Sequence, residues 1–124
     1  MKKILVIEDD IQAQKRIQEI FSLSKDYEVS VAGNGHEGLI LVTRLQPDLL
    51  ILDVMLPEID GFEICKRIQA LPQQKRPRVV LLTALTSLLN NMEADWLART
   101  GAEGLLTKPI NAGEMMGMIH KILS

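Results

Sequence analysis

Acidic residues follow two apolar segments of this chain at the point where each segment ends. Asp53 closes one such run, and Glu8, Asp9 and Asp10 come directly after another. Both runs are short, leucine-rich or β-branched, and bounded by polar residues, which is typical of buried strands. Because a carboxylate at the end of a buried strand is costly unless something pairs with it, these acids indicate a functional site.

Two further apolar segments are followed by polar residues, one with a hydroxyl group and one with an ammonium group. Thr83 closes the run 79–82, and Lys108 follows the run 104–107. In a parallel sheet the carboxyl ends of the strands meet at one edge, where ligands bind. We therefore expect the acids at the ends of the first and third strands, the hydroxyl and the lysine to converge there.

Such a group of side chains suits a divalent metal and a phosphoryl group. Magnesium prefers one or two carboxylates, several waters and a phosphate oxygen. The carboxylate of Asp53 can act as a nucleophile and form an acyl phosphate. Taken alone, Asp9 and Asp10 have a simpler interpretation, which is that they cap the helix that follows them.

Strand-like and helix-like segments alternate five times along the chain. The predicted strands are residues 3–8, 27–32, 49–53, 78–83 and 103–107. The predicted helices are residues 10–23, 34–45, 58–71, 87–100 and 111–124. This alternation predicts right-handed crossovers between parallel strands, with helices on both faces of the sheet.

The hydrophobic pattern of each strand predicts its place in the sheet. The third and fourth strands are apolar without alternation and should be central, whereas 27–32 alternates and should lie at an edge. The last strand is short and contains Gly104, which suits the other edge. We predict a flavodoxin-like (βα)5 three-layer sandwich with a parallel five-stranded sheet in the order 2-1-3-4-5. We expect residues 1–124 to form one domain.

Composition excludes several classes of protein. The net charge of −2 argues against direct contact with nucleic acid, which needs a basic surface. The single cysteine, Cys65, excludes an intramolecular disulfide and is expected in the core. The absence of an apolar run of about 20 residues and of a secretory segment predicts a cytoplasmic protein without membrane contact.

Several ordered motifs resemble those of a known family. The chain is similar to the receiver domain of two-component response regulators, the CheY-like family, from residue 3 to its end. The motifs that carry this resemblance are Glu8-Asp9-Asp10 after its apolar run, the segment 48–57 around Asp53, Asp60-Gly61, Leu82-Thr83-Ala84, the segment 101–104 and Lys108-Pro109.

The resemblance implies a phosphoacceptor and a magnesium site. Asp53 would accept the phosphoryl group. Asp9 and Asp53 would bind Mg²⁺ directly, together with the backbone carbonyl of Met55, and Glu8 would act through water. The protein would be no enzyme acting on other substrates, since it would catalyse only its own phosphoryl transfer and dephosphorylation.

The resemblance also implies a switch. Lys108 would pair with the phosphoryl group, Thr83 would bond to it and move inward, and the peptide between Lys108 and Pro109 would be cis. The face formed by the fourth helix, fifth strand and fifth helix would then change shape. Leu105 occupies the place where many family members have tyrosine or phenylalanine, so the aromatic half of the switch is missing and a leucine rotamer would replace it.

The partners implied are those of a phosphorelay. The donor would be a phosphohistidine on a sensor histidine kinase or a histidine phosphotransfer protein, docking against Ile11, Gln14 and Lys15. The output would be an attached domain or a separate target protein. A homodimer through the face of the fourth helix, fifth strand and fifth helix is a further expectation.

Competing interpretations are open at this point. An aspartate-nucleophile phosphatase would need an acid where Met55 stands, two residues after Asp53. A degenerate receiver that serves only as a docking scaffold would not need the intact set of acids with Thr83 and Lys108, although Leu105 leaves that alternative in place. The apolar residues after Thr83 form either a core stripe or an exposed partner surface: Leu85, Leu88, Leu89, Met92, Trp96 and Leu97.

Overall fold

The computed structural model describes residues 1–84 and 86–124, and only the backbone of residues 86–92. The strands β1 to β5 are Lys2–Ile7, Tyr27–Ala32, Leu49–Asp53, Arg78–Thr83 and Gly104–Thr107. The helices α1 to α5 are Ile11–Ser22, Gly35–Leu45, Gly61–Gln69, Thr86–Thr100 and Ala112–Leu123. A 3-10 turn, Gln73–Lys75, precedes β4.

All paired strands are parallel, and the sheet has the order β2-β1-β3-β4-β5. The predicted order is therefore confirmed, including the two edge strands. Each carboxyl end of a strand lies at the same edge of the sheet, so residues that follow the strands are brought together.

Helices cover both faces of the sheet. Helices α1 and α5 pack on one face through a core that includes Ile17 and Met115. Helices α2, α3 and α4 pack on the other face, where Val42, Ile64 and Trp96 are buried. Successive residues of β1, β3 and β4 alternate between these two cores, because side chains of a strand point to opposite faces. Burial on both sides explains why the central residues of these strands are apolar.

One helix begins later than its sequence predicts. The predicted helix 58–71 is wrong at its start, since α3 begins at Gly61. The Asp60 side chain caps it by accepting a hydrogen bond from the backbone N–H of Glu63 at 2.8 Å. Residues 54–60 therefore form the loop that follows Asp53, and the buried side chains of this loop anchor it to the core.

Several local features bear on residues of interest, and they confirm the predicted cis peptide and the predicted burial of Cys65. Gly101 follows α4 with a φ of 73°, in the left-handed region that favours glycine at a helix end. The peptide between Lys108 and Pro109 is cis. Cys65 and Trp96 are buried, which places both in the core. The predictions for Leu85, Leu88, Leu89 and Met92 lie outside the described residues.

None of the helices, within the part of the chain that the structure describes, combines the length and apolar character of a membrane span.

Candidate functional site

The sheet places the predicted polar residues at its carboxyl edge. Asp53 is the last residue of β3 and pairs with Leu82, so it lies next to Thr83 at the end of β4. Glu8 follows β1, which pairs with β3 on its other side. Asp53, Glu8 and Thr83 are all buried at this edge, whereas Asp9 is exposed.

Lys108 joins two of the acids directly. Its Nζ lies 2.8 Å from Glu8 Oε1 and 3.1 Å from Asp53 Oδ2. The backbone N–H of Lys108 donates to the carbonyl oxygen of Thr83 at 2.8 Å, which fixes the start of this loop against β4. One ammonium group therefore bridges the carboxylates that follow β1 and β3.

Burial and close contact change the pKa values of Glu8 and Lys108. Burial and a hydrogen bond with Asp53 raise the pKa of Glu8 from 4.5 to about 7, although the ammonium of Lys108 acts in the opposite direction. Burial lowers the pKa of Lys108, but its hydrogen bonds to Glu8 and Asp53 outweigh that effect and raise it. A single lysine thus does not fully neutralise the two buried acids.

The acids meet the requirements of a hard cation. One carboxylate oxygen from each of Glu8, Asp9 and Asp53 lies within 4.8 Å of the other two. Glu8 Oε2 is buried and has no hydrogen-bond partner among the described residues. A buried carboxylate oxygen without a partner is costly, and a cation would relieve both that cost and the mutual repulsion of the acids. Carboxylate oxygens are the ligands that Mg²⁺ prefers, so this group of residues fits it.

The second oxygen of Asp53 is held by the loop that follows it. The backbone N–H of Met55 donates to Asp53 Oδ1 at 2.9 Å. The side chain of Met55 is turned outward and is 59% exposed. Asp53 is therefore fixed at both oxygens, by Met55 on one side and by Lys108 on the other.

Two residues near the acids have roles that the strand pattern did not show. Asp10 lies outside the acid cluster and is the N-cap of α1, where it accepts a hydrogen bond from the backbone N–H of Gln12. The capping interpretation is thus confirmed for Asp10. Gln14 donates from its side chain to the carbonyl oxygen of Glu8 at 2.6 Å. This hydrogen bond could not be predicted from the sequence, because a lone glutamine in the first turn of a helix is ordinarily a surface residue.

The predicted docking residues lie on α1 beside the site. Ile11 is 63% exposed at the start of the helix, Lys15 is exposed one turn later, and Gln14 is half-buried between them. Their contact with a phosphodonor stays a prediction. Leu105 is buried in the core against α4, so any rotation of this side chain would begin from a packed state.

The comparisons with known proteins all indicate the same family. A family model described as the response regulator receiver domain matches residues 4–120. The DNA-binding dual master transcriptional regulator RpaA of Synechocystis sp. is 34% identical over 99% of this chain and 49% of its own length. The response regulator PleD of Caulobacter vibrioides is 38% identical over 88% of this chain and 23% of its own length.

One solved structure is similar to this chain in both fold and sequence. The chemotaxis protein CheY4 of Vibrio cholerae has a TM-score of 0.84 and 30% identity, covering 99% of each chain. The chain spans about half the length of RpaA and about a quarter of PleD. From the sheet order, the acids at its carboxyl edge and these matches, the chain belongs to the receiver domain family of two-component response regulators.

Proposed function

We propose that this receiver domain accepts a phosphoryl group on Asp53 from a phosphohistidine of a sensor histidine kinase or histidine phosphotransfer protein. The observation that carries this proposal is the buried Asp53 carboxylate, held by the Lys108 ammonium at 3.1 Å beside two further acids. A carboxylate that is placed among charged groups at the carboxyl edge of a parallel sheet is suited to nucleophilic attack.

The transfer exchanges one bond to phosphorus for another. A carboxylate oxygen of Asp53 forms a bond to phosphorus while the bond between phosphorus and the donor imidazole nitrogen breaks. The electron pair of the broken bond stays with the imidazole. Since charge spreads over the three equatorial phosphoryl oxygens, the receiver contributes mainly positioning and charge neutralisation. Lys108 would move from the carboxylates to a phosphoryl oxygen.

The acid cluster is the proposed magnesium site. Asp9, Asp53 and the backbone carbonyl of Met55 would hold Mg²⁺ directly, and Glu8 would act through water. Bound there, Mg²⁺ would offset the charge of the phosphoryl oxygens and of the acids around them. Glu8 Oε2 has no hydrogen-bond partner within the described part of the chain, and the Asp9 carboxylate is exposed. Both observations support this assignment, since Mg²⁺ retains several of its waters.

Thr83 is the proposed link between the site and the output surface. Its hydroxyl would bond to the phosphoryl group, which carries a charge of about −1.5 to −2. Because the carbonyl of Thr83 is bonded to the backbone N–H of Lys108, movement at the end of β4 reaches the start of the loop before α5. The face of α4, β5 and α5 would respond, with Leu105 in the place of the usual aromatic ring.

The output and location are further proposals. RpaA is described as a DNA-binding transcriptional regulator, and the present chain spans about half of it. We propose that this receiver controls an attached output domain or a separate target protein, in the cytoplasm, without contacting nucleic acid itself. Homodimer formation through α4, β5 and α5 would be one means of control.

The test is intact-protein mass spectrometry after incubation with a small phosphodonor, with and without Mg²⁺. We expect the wild type to gain one phosphoryl group only when Mg²⁺ is present, and Asp53→Asn to gain none. Asp26→Asn is the matched control, because Asp26 is exposed and precedes β2 at the opposite edge of the sheet. The absence of any gain in the wild type would instead favour the docking-scaffold interpretation.

A further inference from the structure

The side chain of Gln14 holds the backbone between two of the clustered acids. Its Nε2 donates to the carbonyl oxygen of Glu8 at 2.6 Å, across six residues of chain. This carbonyl belongs to the peptide group that joins Glu8 to Asp9. Rotation of that peptide would turn both carboxylates relative to Asp53, which lies on another strand.

The same segment is fixed on its other side by the sheet. The backbone N–H of Glu8 donates to the carbonyl oxygen of Ala32 at 3.1 Å, which extends the pairing with β2 by one residue. Glu8 Oε1 also accepts a hydrogen bond from the backbone N–H of Asp10 at 3.1 Å. Gln14 completes this arrangement, since it holds the carbonyl that lies beyond the end of β1.

We infer that Gln14 is a positioning residue for the divalent-cation site formed by Glu8, Asp9 and Asp53. The inference rests on the proposed function, because it assigns a role toward the metal of that same site. Groups that orient metal ligands without touching the metal are required for full affinity, and their loss weakens binding about 10- to 100-fold. Gln14 acts here through the backbone rather than through a ligand side chain.

A docking role for Gln14 would give a different result. If Gln14 served only to contact a phosphodonor protein, its substitution would leave Mg²⁺ binding and reaction with a small phosphodonor unchanged. If Gln14 positions the acids, both measurements change without any partner protein.

The experiment compares Mg²⁺ dissociation constants by isothermal titration calorimetry for the wild type, Gln14→Met, Gln14→Arg and Gln18→Met. Methionine keeps the length of the side chain and removes its N–H donors, so we expect affinity to fall about 10- to 100-fold. Arginine keeps a donor but adds a positive charge beside the cation site. Gln18 is exposed one turn further along α1, and its substitution should change nothing.

The relative Mg²⁺ affinities of Gln14→Met and Gln14→Arg distinguish an effect of the hydrogen bond from an effect of charge. If the donor matters, Gln14→Arg binds Mg²⁺ more tightly than Gln14→Met. If only the local charge matters, Gln14→Arg binds more weakly than Gln14→Met, which would overturn the inference. A Gln14→Met affinity within about twofold of the wild type would also overturn it.

Phosphorylation by a small donor gives a second readout. Gln14→Met should need more Mg²⁺ for half-maximal labelling but reach the wild-type rate when Mg²⁺ is saturating, because Asp53 and Lys108 are untouched. Should Gln14→Met not fold, Gln14→Asn replaces it, since its amide is one methylene too short to reach the Glu8 carbonyl. A wild type that binds no Mg²⁺ would refute the proposed metal site and this inference together, whereas normal wild-type binding with an unchanged variant would refute the inference alone.

Discussion

At the scale of single residues, one lysine faces two buried acids. Lys108 contacts both Glu8 and Asp53, yet the pKa of Glu8 is still raised to about 7. Without a bound metal ion, Lys108 neutralises these acids only in part, and metal or phosphoryl binding would start from that state. Excess negative charge of this kind favours a ligand that brings positive charge, such as a metal ion.

Replacement of Lys108 by methionine should destabilise the metal-free protein in a pH-dependent way. The remaining acids lose their cation, which costs about 3 kcal/mol where both are charged. The pKa of Glu8 is already raised to about 7 with Lys108 present, and Lys108 lowers it, so removal of the lysine raises the pKa of Glu8 further. Glu8 therefore takes up a proton as the pH falls, which relieves the repulsion. The loss of unfolding free energy should therefore be larger at pH 8 than at pH 6, as measured by urea denaturation in a metal chelator.

A double variant provides the control for this prediction. Glu8→Gln removes the group that titrates, so Lys108→Met should cost less in that background and its effect should no longer depend on pH. An equal loss at both pH values in the single variant would mean that Glu8 and Lys108 are not coupled.

The thiol of Cys65 should be unreactive in the folded protein. Burial, with a smaller contribution from the Asp60 carboxylate, raises the pKa of Cys65 to about 12. Because the thiolate is the reactive form, labelling by a thiol reagent at pH 8 should be at least ~100-fold slower than in urea. Labelling rates with and without urea give the measurement, and similar rates would show that α3 opens readily.

At the scale of elements, the contact between α3 and the loop after Asp53 depends on a glycine. A Cβ atom at Gly61 would lie 2.7 Å from Val54 Cα and 3.0 Å from the carbonyl oxygen of Asp53. Both neighbours are backbone atoms, and the backbone N–H of Gly61 also donates to the carbonyl of Val54. The start of α3 is therefore packed directly against the backbone of Asp53 and Val54.

Gly61→Ala should disturb both stability and the acceptor site. The backbone must shift to admit the methyl group, so we expect a loss of about 1–3 kcal/mol and slower phosphorylation of Asp53. Gly117→Ala is the matched control, because a Cβ there meets nothing within 4 Å in the middle of α5. That substitution should raise stability by up to about 1 kcal/mol. Urea denaturation of both variants tests this prediction. Equal changes in the free energy of unfolding would contradict the packing argument.

At the scale of the whole molecule, the sequence predicts those features that depend on local pattern. The sheet order follows from apolar and alternating strands, and the meeting of Glu8, Asp53 and Lys108 follows from their positions at the ends of strands. The start of α3 was misplaced because Glu58 and Ile59 continue a helical pattern that the Asp60 cap interrupts. The bond between Lys108 and Glu8 joins residues 100 positions apart, and no local pattern encodes which two side chains meet across a sheet edge.

Cation binding should stabilise the entire fold, because the acids that would hold Mg²⁺ come from the ends of β1 and β3, two strands that pair at the centre of the sheet. A ligand that binds only the folded state at 100 times its dissociation constant adds about 2.7 kcal/mol. For a domain of this size, that corresponds to a rise in Tm of about 10 °C.

Asp9→Asn should lose most of this rise while being slightly more stable than the wild type in chelator, since one repelling charge is gone. Tm values measured with Mg²⁺ and with NaCl at matched ionic strength distinguish Mg²⁺ binding from general screening of the charges by salt. An equal rise in Asp9→Asn and the wild type would show that the stabilising cation binds somewhere other than the acid cluster.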